Sequence, residues 1–112
     1  KNRLLKLLNE ISKKGKSIHC YGASTKGNVL LQYYKINNKM IKFAAERNKS
    51  KYNLYTPGSM IKIISEKISR SYKPDYYLVL PWHFKKEILI REKKIRKSGT
   101  KLIFPLPKLE II

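Results

Sequence analysis

The stretch "IHCYGASTKGNVLLQYY", Ile18–Tyr34, decides how the whole chain is read. An apolar run meets a small glycine-containing turn, and an amphipathic pattern follows, which is the order strand, loop, helix. Ser17–Tyr21 reads as a first strand and Gly22–Thr25 as the turn. Ser24 or Thr25 is placed to N-cap a helix over about residues 26–35. Val29, Leu30, Tyr33 and Tyr34 are its expected buried side. The glycines fit neither familiar phosphate-binding fingerprint. G-x-G-x-x-G needs glycine where Cys20 stands, and the P-loop G-x-x-x-x-G-K-S/T needs Lys-Ser/Thr where Asn28–Val29 follow Gly27. The chemistry of an anion site remains. Gly22 permits a tight turn, and Gly27 permits a ligand or another backbone to approach closely. Amides at a helix start favour negative charge, and Lys26 adds a mobile positive one. The plainer alternative is an ordinary strand-to-helix turn with an exposed lysine.

Outward from this stretch, strands and helices alternate. Leu4, Leu5, Leu7, Leu8 and Ile11 recur at helical spacing, and Gly15 sits where a helix terminates, so residues 2–14 read as a helix. Met40–Ala45 reads as a second strand, "ERNKSKYNLYTPGS" as a loop, Met60–Ile64 as a third strand and Ser65–Ser71 as a short helix or turn. Tyr76–Trp82, "YYLVLPW", is apolar throughout, as a strand buried on both faces should be. A helix is expected from about Phe84 to Lys97, with Phe84, Ile88 and Ile95 on one side and surface pairs Glu87/Arg91 and Glu92/Arg96. Gly99 ends it, and Lys101–Pro105 is the last strand. This alternation predicts an α/β fold, a mostly parallel five-stranded sheet with helices on both faces, in the order 3-2-1-4-5 with right-handed crossovers. The ligand crevice of such a sheet opens beyond the carboxyl ends of strands 1 and 4, where Gly22–Asn28 would face Pro81–Phe84.

With 112 residues the chain reads as one domain, and 42% apolar residues suit a folded protein rather than a disordered one. It begins without Met, as a fragment or processed chain would. No apolar run is long enough to span a membrane, and the amphipathic N-terminus does not suit a secretion signal. The single cysteine, Cys20, excludes an internal disulfide; no CxxC pair or His cluster suggests zinc, and a cytoplasmic setting is expected. Lys and Arg number 26 against seven Asp and Glu, a net charge of +19. That balance invites a nucleic-acid reading. The cations are scattered, however, with dense runs only at Lys13–Lys16 and Lys93–Lys97, so a solvated surface with non-specific nucleic-acid contact is the favoured reading.

Four segments in register, "YGASTKGNVLLQYY", "AERNKSKYNLYTPGSMIKI", "PDYYLVLPWHFKKEIL" and "GTKLIFPLPKLEII", resemble the C-terminal domain of sugar C-methyltransferases. The resemblance covers about residues 15–112. Tyr21, Gly22, Ala23, Lys26, Gly27 and Asn28 match the family's first loop, with Cys20 departing at its leading glycine. Tyr55, Thr56, Pro57 and Gly58 match a Tyr-Thr-Pro-Gly, and Leu80, Pro81 and Trp82 a Leu-Pro-Trp. Glu46 stands where the family usually has Asp, and His83 where it has Asn. The resemblance implies a Rossmann-like three-layer α/β/α sandwich that binds a nucleotide-activated (NDP) sugar. It also implies a separate central methyltransferase domain as partner. That domain would hold S-adenosylmethionine and the catalytic base, and the parent enzyme would carry structural zinc in a further segment. No cofactor and no catalytic residue are expected here.

The resulting candidate substrate contacts are Tyr21, Gly22, Ala23, Ser24, Lys26, Gly27, Asn28, Glu46, Tyr55, Pro57, Gly58, Trp82 and His83. Glu46, at the end of strand 2, is placed to hold a ribose hydroxyl, and Trp82 to stack on a base or sugar. Tyr55–Gly58 reads either as a loop over the crevice or as a Pro-Gly turn into strand 3. His83 reads as a polar contact rather than an acid or base, and His19 as core. Two rival readings are a basic nucleic-acid-binding module and an NAD(P)-binding oxidoreductase domain; Cys20 in place of the first glycine counts against the second.

Overall fold

The computed structural model describes residues 2–112. The elements in order are α1 (Asn2–Lys13), β1 (Ile18–Tyr21), α2 (Thr25–Tyr33), β2 (Phe43–Glu46), β3 (Lys62–Ser65), α3 (Glu66–Ser71), β4 (Tyr76–Val79), α4 (Lys85–Arg91), α5 (Lys93–Lys97), β5 (Lys101–Phe104) and β6 (Glu110–Ile111), with 3-10 turns at Lys49–Lys51 and Trp82–Phe84. The sheet has six strands in the order β3-β2-β1-β4-β5-β6. β1 to β5 are parallel, and Cys20 lies beside Ala44 on one side and Leu78 on the other. The expected order of the first five holds. The sixth strand was not anticipated; it runs antiparallel to β5, pairing Ile103 with Ile111.

The two-residue period of the strands sorts side chains between two cores. Cys20, Ala44, Leu78 and Ile103 face a layer made by α1 and α2, with Leu4, Leu8, Ile11, Leu30 and Leu31 buried against them. Their neighbours Tyr21, Ala45, Tyr77, Val79, Leu102 and Phe104 face the opposite layer with Ile88 of α4. This is a Rossmann-like α/β/α sandwich.

Several boundaries differ from expectation, each for a local reason. Strand 2 starts at Phe43 rather than Met40, because Met40 and Ile41 donate to the Asn37 carbonyl in a turn. Strand 3 starts at Lys62 because Met60 is left-handed, with φ of 57°. Strand 4 stops at Val79 and Leu80 makes the last ladder bond, to Tyr21; Pro81 has no N–H to continue it. The helix expected over 84–97 is broken at Glu92 into α4 and α5. Glu92 is only 1% exposed and bonds Arg70 rather than Arg96, and Arg91 turns to Tyr21 and Glu92 rather than to Glu87. Phe84 is exposed. α2 buries Gly27, Leu30 and Leu31, while Val29 and Tyr33 face solvent and Tyr34 is half-buried. Residues 53–56 fold back antiparallel along the outer edge of β3, Tyr55 opposite Lys62, and so cover an edge that would otherwise be open.

Candidate functional site

The β1 and β4 loops meet because their strands are neighbours. Gly22 has φ of +89°, and a Cβ there would lie 3.2 Å from the Pro81 ring, so glycine serves both the turn and the contact. Gly22 N–H donates to the Ala45 carbonyl at 2.8 Å. Ser24 N-caps α2: its Oγ accepts from Gly27 N–H at 3.1 Å, and its carbonyl accepts from Asn28 N–H at 2.9 Å. Two first-turn donors are thereby satisfied. The N–H groups of Thr25 and Lys26 meet no protein acceptor among the described residues and open towards solvent with the exposed Lys26 side chain.

Glu46 holds this loop in shape. One carboxylate oxygen accepts from Ala23 N–H, and the other from Arg47 and Asn48 N–H, each at 3.0 Å. Lys51, which sequence reasoning missed, donates from Nζ to the Ala23 carbonyl at 3.2 Å. No spacing rule marks it among its neighbouring lysines. Arg47, in the same loop, is paired with Glu66 at 3.2 Å, and the Glu46 carboxylate is occupied by backbone donors.

Gly27 is required by the packing of α2. A Cβ would lie 2.6 Å from Leu80 Cβ, so the glycine seats α2 against the β4 end. Asn28 presents a buried Oδ1 with no partner among the described residues. Across the crevice Trp82 is half-buried and packs against both cores. It meets His83 edge-on at 6.0 Å, and the exposed His83 ring leans on Phe84 at 4.3 Å.

The structure thus brings together Gly22, Ala23, Ser24, Lys26, Gly27, Asn28, Glu46, Trp82 and His83. It sets the others apart. The Tyr21 side chain lies on the far layer, where its hydroxyl donates to Glu92 at 2.5 Å and accepts from Arg91; burial, aided by Glu92, pushes its pKa up to about 12. Tyr55 pairs antiparallel with Lys62 at the edge of β3, and Pro57 and Gly58 lie against α2 beyond its first turn. Gln32 Nε2 donates to the Pro57 carbonyl at 2.8 Å, and a Cβ on Gly58 would meet Gln32 at 3.1 Å. Thr56 pins that loop, contacting Ser59 Oγ at 2.5 Å and accepting from Ile61 N–H at 2.9 Å.

The arrangement can hold an anion and stack a ring. The Cys20 thiol is buried and its pKa is pushed up to about 12 by desolvation, so it stays protonated. His19 is a core residue, its Nδ1 2.7 Å from Ser69 Oγ. No group of three or more His, Cys, Asp or Glu among the described residues can hold a metal ion. No helix among them is long and apolar enough to cross a membrane.

The family described as "C-methyltransferase C-terminal domain" matches residues 1–107. The C-methyltransferase NovU of Streptomyces niveus is 33% identical over 110 residues, covering 98% of this chain and 26% of that protein. The chain therefore spans about a quarter of the length of the curated relative it matches.

Proposed function

Because the chain belongs to the family of C-methyltransferase C-terminal domains, we propose that it binds and positions the NDP-sugar substrate of an S-adenosylmethionine-dependent sugar C-methyltransferase. The methyl donor, the base that deprotonates the sugar carbon, and structural zinc belong in this reading to other parts of a longer cytoplasmic enzyme. This segment then acts as one domain of that enzyme and is not itself catalytic. The observation that carries the reading is the open first turn of α2. The amides of Thr25 and Lys26 have no protein acceptor among the described residues, Lys26 is exposed, Gly22 at the start of the same loop lies against Pro81, and the Glu46 carboxylate is engaged by backbone amides. A diphosphate suits those donors, and Trp82 and His83 offer ring surface to the base or sugar.

Lys26 would contact the diphosphate directly. Lys51 and Glu46 hold Ala23 from its two sides and so position the loop. The nucleic-acid alternative is disfavoured by charge placement: cations sit on α1, α2, α3, α4 and α5, on both layers of the sandwich rather than along one face. Any duplex binding should be non-specific and collapse with salt.

Trp82 is the single tryptophan, so its fluorescence reports on this crevice alone. A nucleoside diphosphate or its sugar conjugate should change it saturably, near millimolar for the isolated chain, which corresponds to about −4 kcal/mol. Lys26→Ala should weaken that binding roughly 10–100-fold, the value of a charge-assisted contact of about 1.5–3 kcal/mol. Unchanged affinity with an intact fold excludes Lys26 from the site. Low-micromolar binding of S-adenosylmethionine by this chain would overturn the division of labour.

A further inference from the structure

The short helix α4 leads straight out of the candidate crevice, since the turn at Trp82–Phe84 runs into Lys85–Arg91. Seven residues are too few for a helix to hold itself in water. Apolar packing holds α4 by little: Ile88 is its buried residue, and Ile90 is 67% exposed. Its orientation therefore depends on polar ties at its two ends. At the start, Lys85 Nζ meets Glu110 at 2.5 Å, with both side chains partly open to solvent. At the end lies a buried junction. Arg91 Nε donates to the Tyr21 hydroxyl at 3.0 Å, and its guanidinium carbon lies 5.4 Å from the centre of the Tyr21 ring. The Tyr21 hydroxyl donates to Glu92 at 2.5 Å, and Arg70 donates to both Glu92 oxygens at 2.9 Å.

We infer that Tyr21, Arg91 and Glu92 are positioning residues for the crevice: they lock α4 to the last residue of β1 and so hold Trp82 in place beside the Gly22 turn. The inference rests on the function proposed above and adds to that site residues that touch no ligand. Placement carries it. Tyr21 is the residue before Gly22, and Gly22 lies against the ring of Pro81, the residue before Trp82. The Tyr21 carbonyl also accepts from Leu80 N–H at 3.1 Å, the last ladder bond before the two loops part. The Tyr21 side chain therefore ties both loops from behind the sheet, the first through its own backbone and the second through α4. The other buried polar chain of the same layer is placed differently. Tyr77 meets Ser69 Oγ at 2.7 Å, and Ser69 Oγ meets His19 at 2.7 Å. Those side-chain hydrogen bonds reach neither α4 nor the crevice loops, so the two networks can be told apart by substitution.

The test reads Trp82 twice, by acrylamide quenching without ligand and by titration with a nucleoside diphosphate, since it is the single tryptophan. Tyr21→Phe removes the hydroxyl and keeps the ring. Two controls separate position from stability. Tyr77→Phe removes a buried hydroxyl from the same layer, and Leu8→Ala empties a fully buried site in the opposite one. All chains are compared where urea denaturation shows them folded. Tyr21→Phe and Glu92→Gln should raise the quenching of Trp82 and weaken nucleoside diphosphate binding about three- to tenfold, within the range by which residues coupled to a site without touching its ligand shift affinity. Tyr77→Phe and Leu8→Ala should do neither, whatever they cost in stability. If Glu92→Gln does not fold, Tyr21→Phe decides alone. Unchanged quenching in Tyr21→Phe overturns the inference. So does an equal rise in Tyr77→Phe or Leu8→Ala, which would make the signal a reflection of stability. So does a selective rise with unchanged nucleotide affinity, which would confine the junction to structure. A selective rise in a chain whose wild type gives no nucleotide response would keep the positioning of Trp82 and remove the ligand reading.

Discussion

The two faces of the sheet are built on different physics. Towards α1 and α2 the core is aliphatic: Leu4, Leu8, Ile11, Ile18, Leu30, Leu31, Leu78, Leu80 and Ile103 interlock around the buried Cys20, with Tyr34, Tyr52 and Tyr76 only partly buried at its margin. Towards α3, α4 and α5 it is aromatic and hydrogen-bonded. His19 bonds Ser69, which bonds Tyr77 at 2.7 Å, while Tyr21, Arg91, Arg70 and the buried Glu92 form a second network. The first face depends on contact area, which is indifferent to pH. The second depends on polar partners staying paired and in the right protonation state, because an unpaired buried group bears its full desolvation cost. The candidate crevice draws on both, since α2 arrives from the dry face and the β4 loop leads into α4 on the polar one.

The largest effect expected follows from the dry face. Leu31 is fully buried, and Leu31→Ala should cost about 2–5 kcal/mol, in transfer free energy and in the cavity left behind. The urea midpoint should fall with little change in slope, and by the same amount at acid and neutral pH. A loss of similar size that vanishes at low pH would break the contrast between the faces. Gly27→Val belongs to the same class. With 2.6 Å to Leu80 Cβ, it should destabilise by about 1–3 kcal/mol through overpacking rather than by blocking a ligand.

Next in size is the polar face. Glu92→Gln keeps the shape and removes the charge that Arg70 and Arg91 pair with. It should cost about 1.5–3 kcal/mol, towards the lower end because the Arg70 side chain is 41% exposed and its pairing is screened. Added salt should narrow the gap between variant and wild type, whereas it should not narrow the gap for Leu31→Ala. His19 supplies the pH dependence. Burial lowers its folded pKa from 6.5 to about 4. Between those values the unfolded chain binds a proton that the native state does not, so stability is full above the unfolded value and falls as pH drops towards the folded one. The slope is at most about 1.4 kcal/mol per pH unit for one proton. His19→Gln should flatten urea stability across that window. A slope that survives the substitution would place the sensitivity elsewhere.

What the chain discloses before folding follows the same division. The alternation of apolar runs with amphipathic ones was enough for the strand order, because a parallel sheet requires its crossovers. β6 was missed because two paired residues after Pro105 and Pro107 have no period to read. Val29 and Tyr33 read as core in the sequence because an apolar residue on a helix is normally buried; what reverses them is Gly27, whose missing side chain lets a different stripe of α2 sit on Leu80. Glu92 read as a surface partner of Arg96 since spacing says nothing of Arg70, 22 residues away. At the candidate site, the Gly22 turn and the Ser24 cap were legible as local chemistry. The brace of Glu46 and Lys51 on Ala23 was not, because it joins residues 23 and 28 positions apart. Tyr55–Gly58 left two readings open, and its contact with Gln32 of α2 is again long-range.

The smallest effect separates the faces most directly, because the same device occurs once on each. Ser24 caps α2 on the dry face and Ser65 caps α3 on the polar face; in both, Oγ accepts from the third amide onward at 3.1 Å. Replacing either serine with alanine removes one side-chain acceptor at a helix start and should cost about 1 kcal/mol. Thermal or urea denaturation should therefore barely distinguish Ser24→Ala from Ser65→Ala. Ligand binding should. Ser24 orients the turn that carries the open amides of Thr25 and Lys26, and without it that turn frays where a diphosphate is proposed to sit. The Trp82 response to a nucleoside diphosphate should then weaken several-fold. Ser65 heads a helix whose first turn points Glu66 at Arg47 and Arg70, with no open cationic crevice in front of it. Ser65→Ala should leave the Trp82 titration unchanged. Equal weakening by both variants would mean that the response tracks global stability rather than a local site. Weakening by Ser65→Ala alone would move the crevice from the end of β1 to the end of β3.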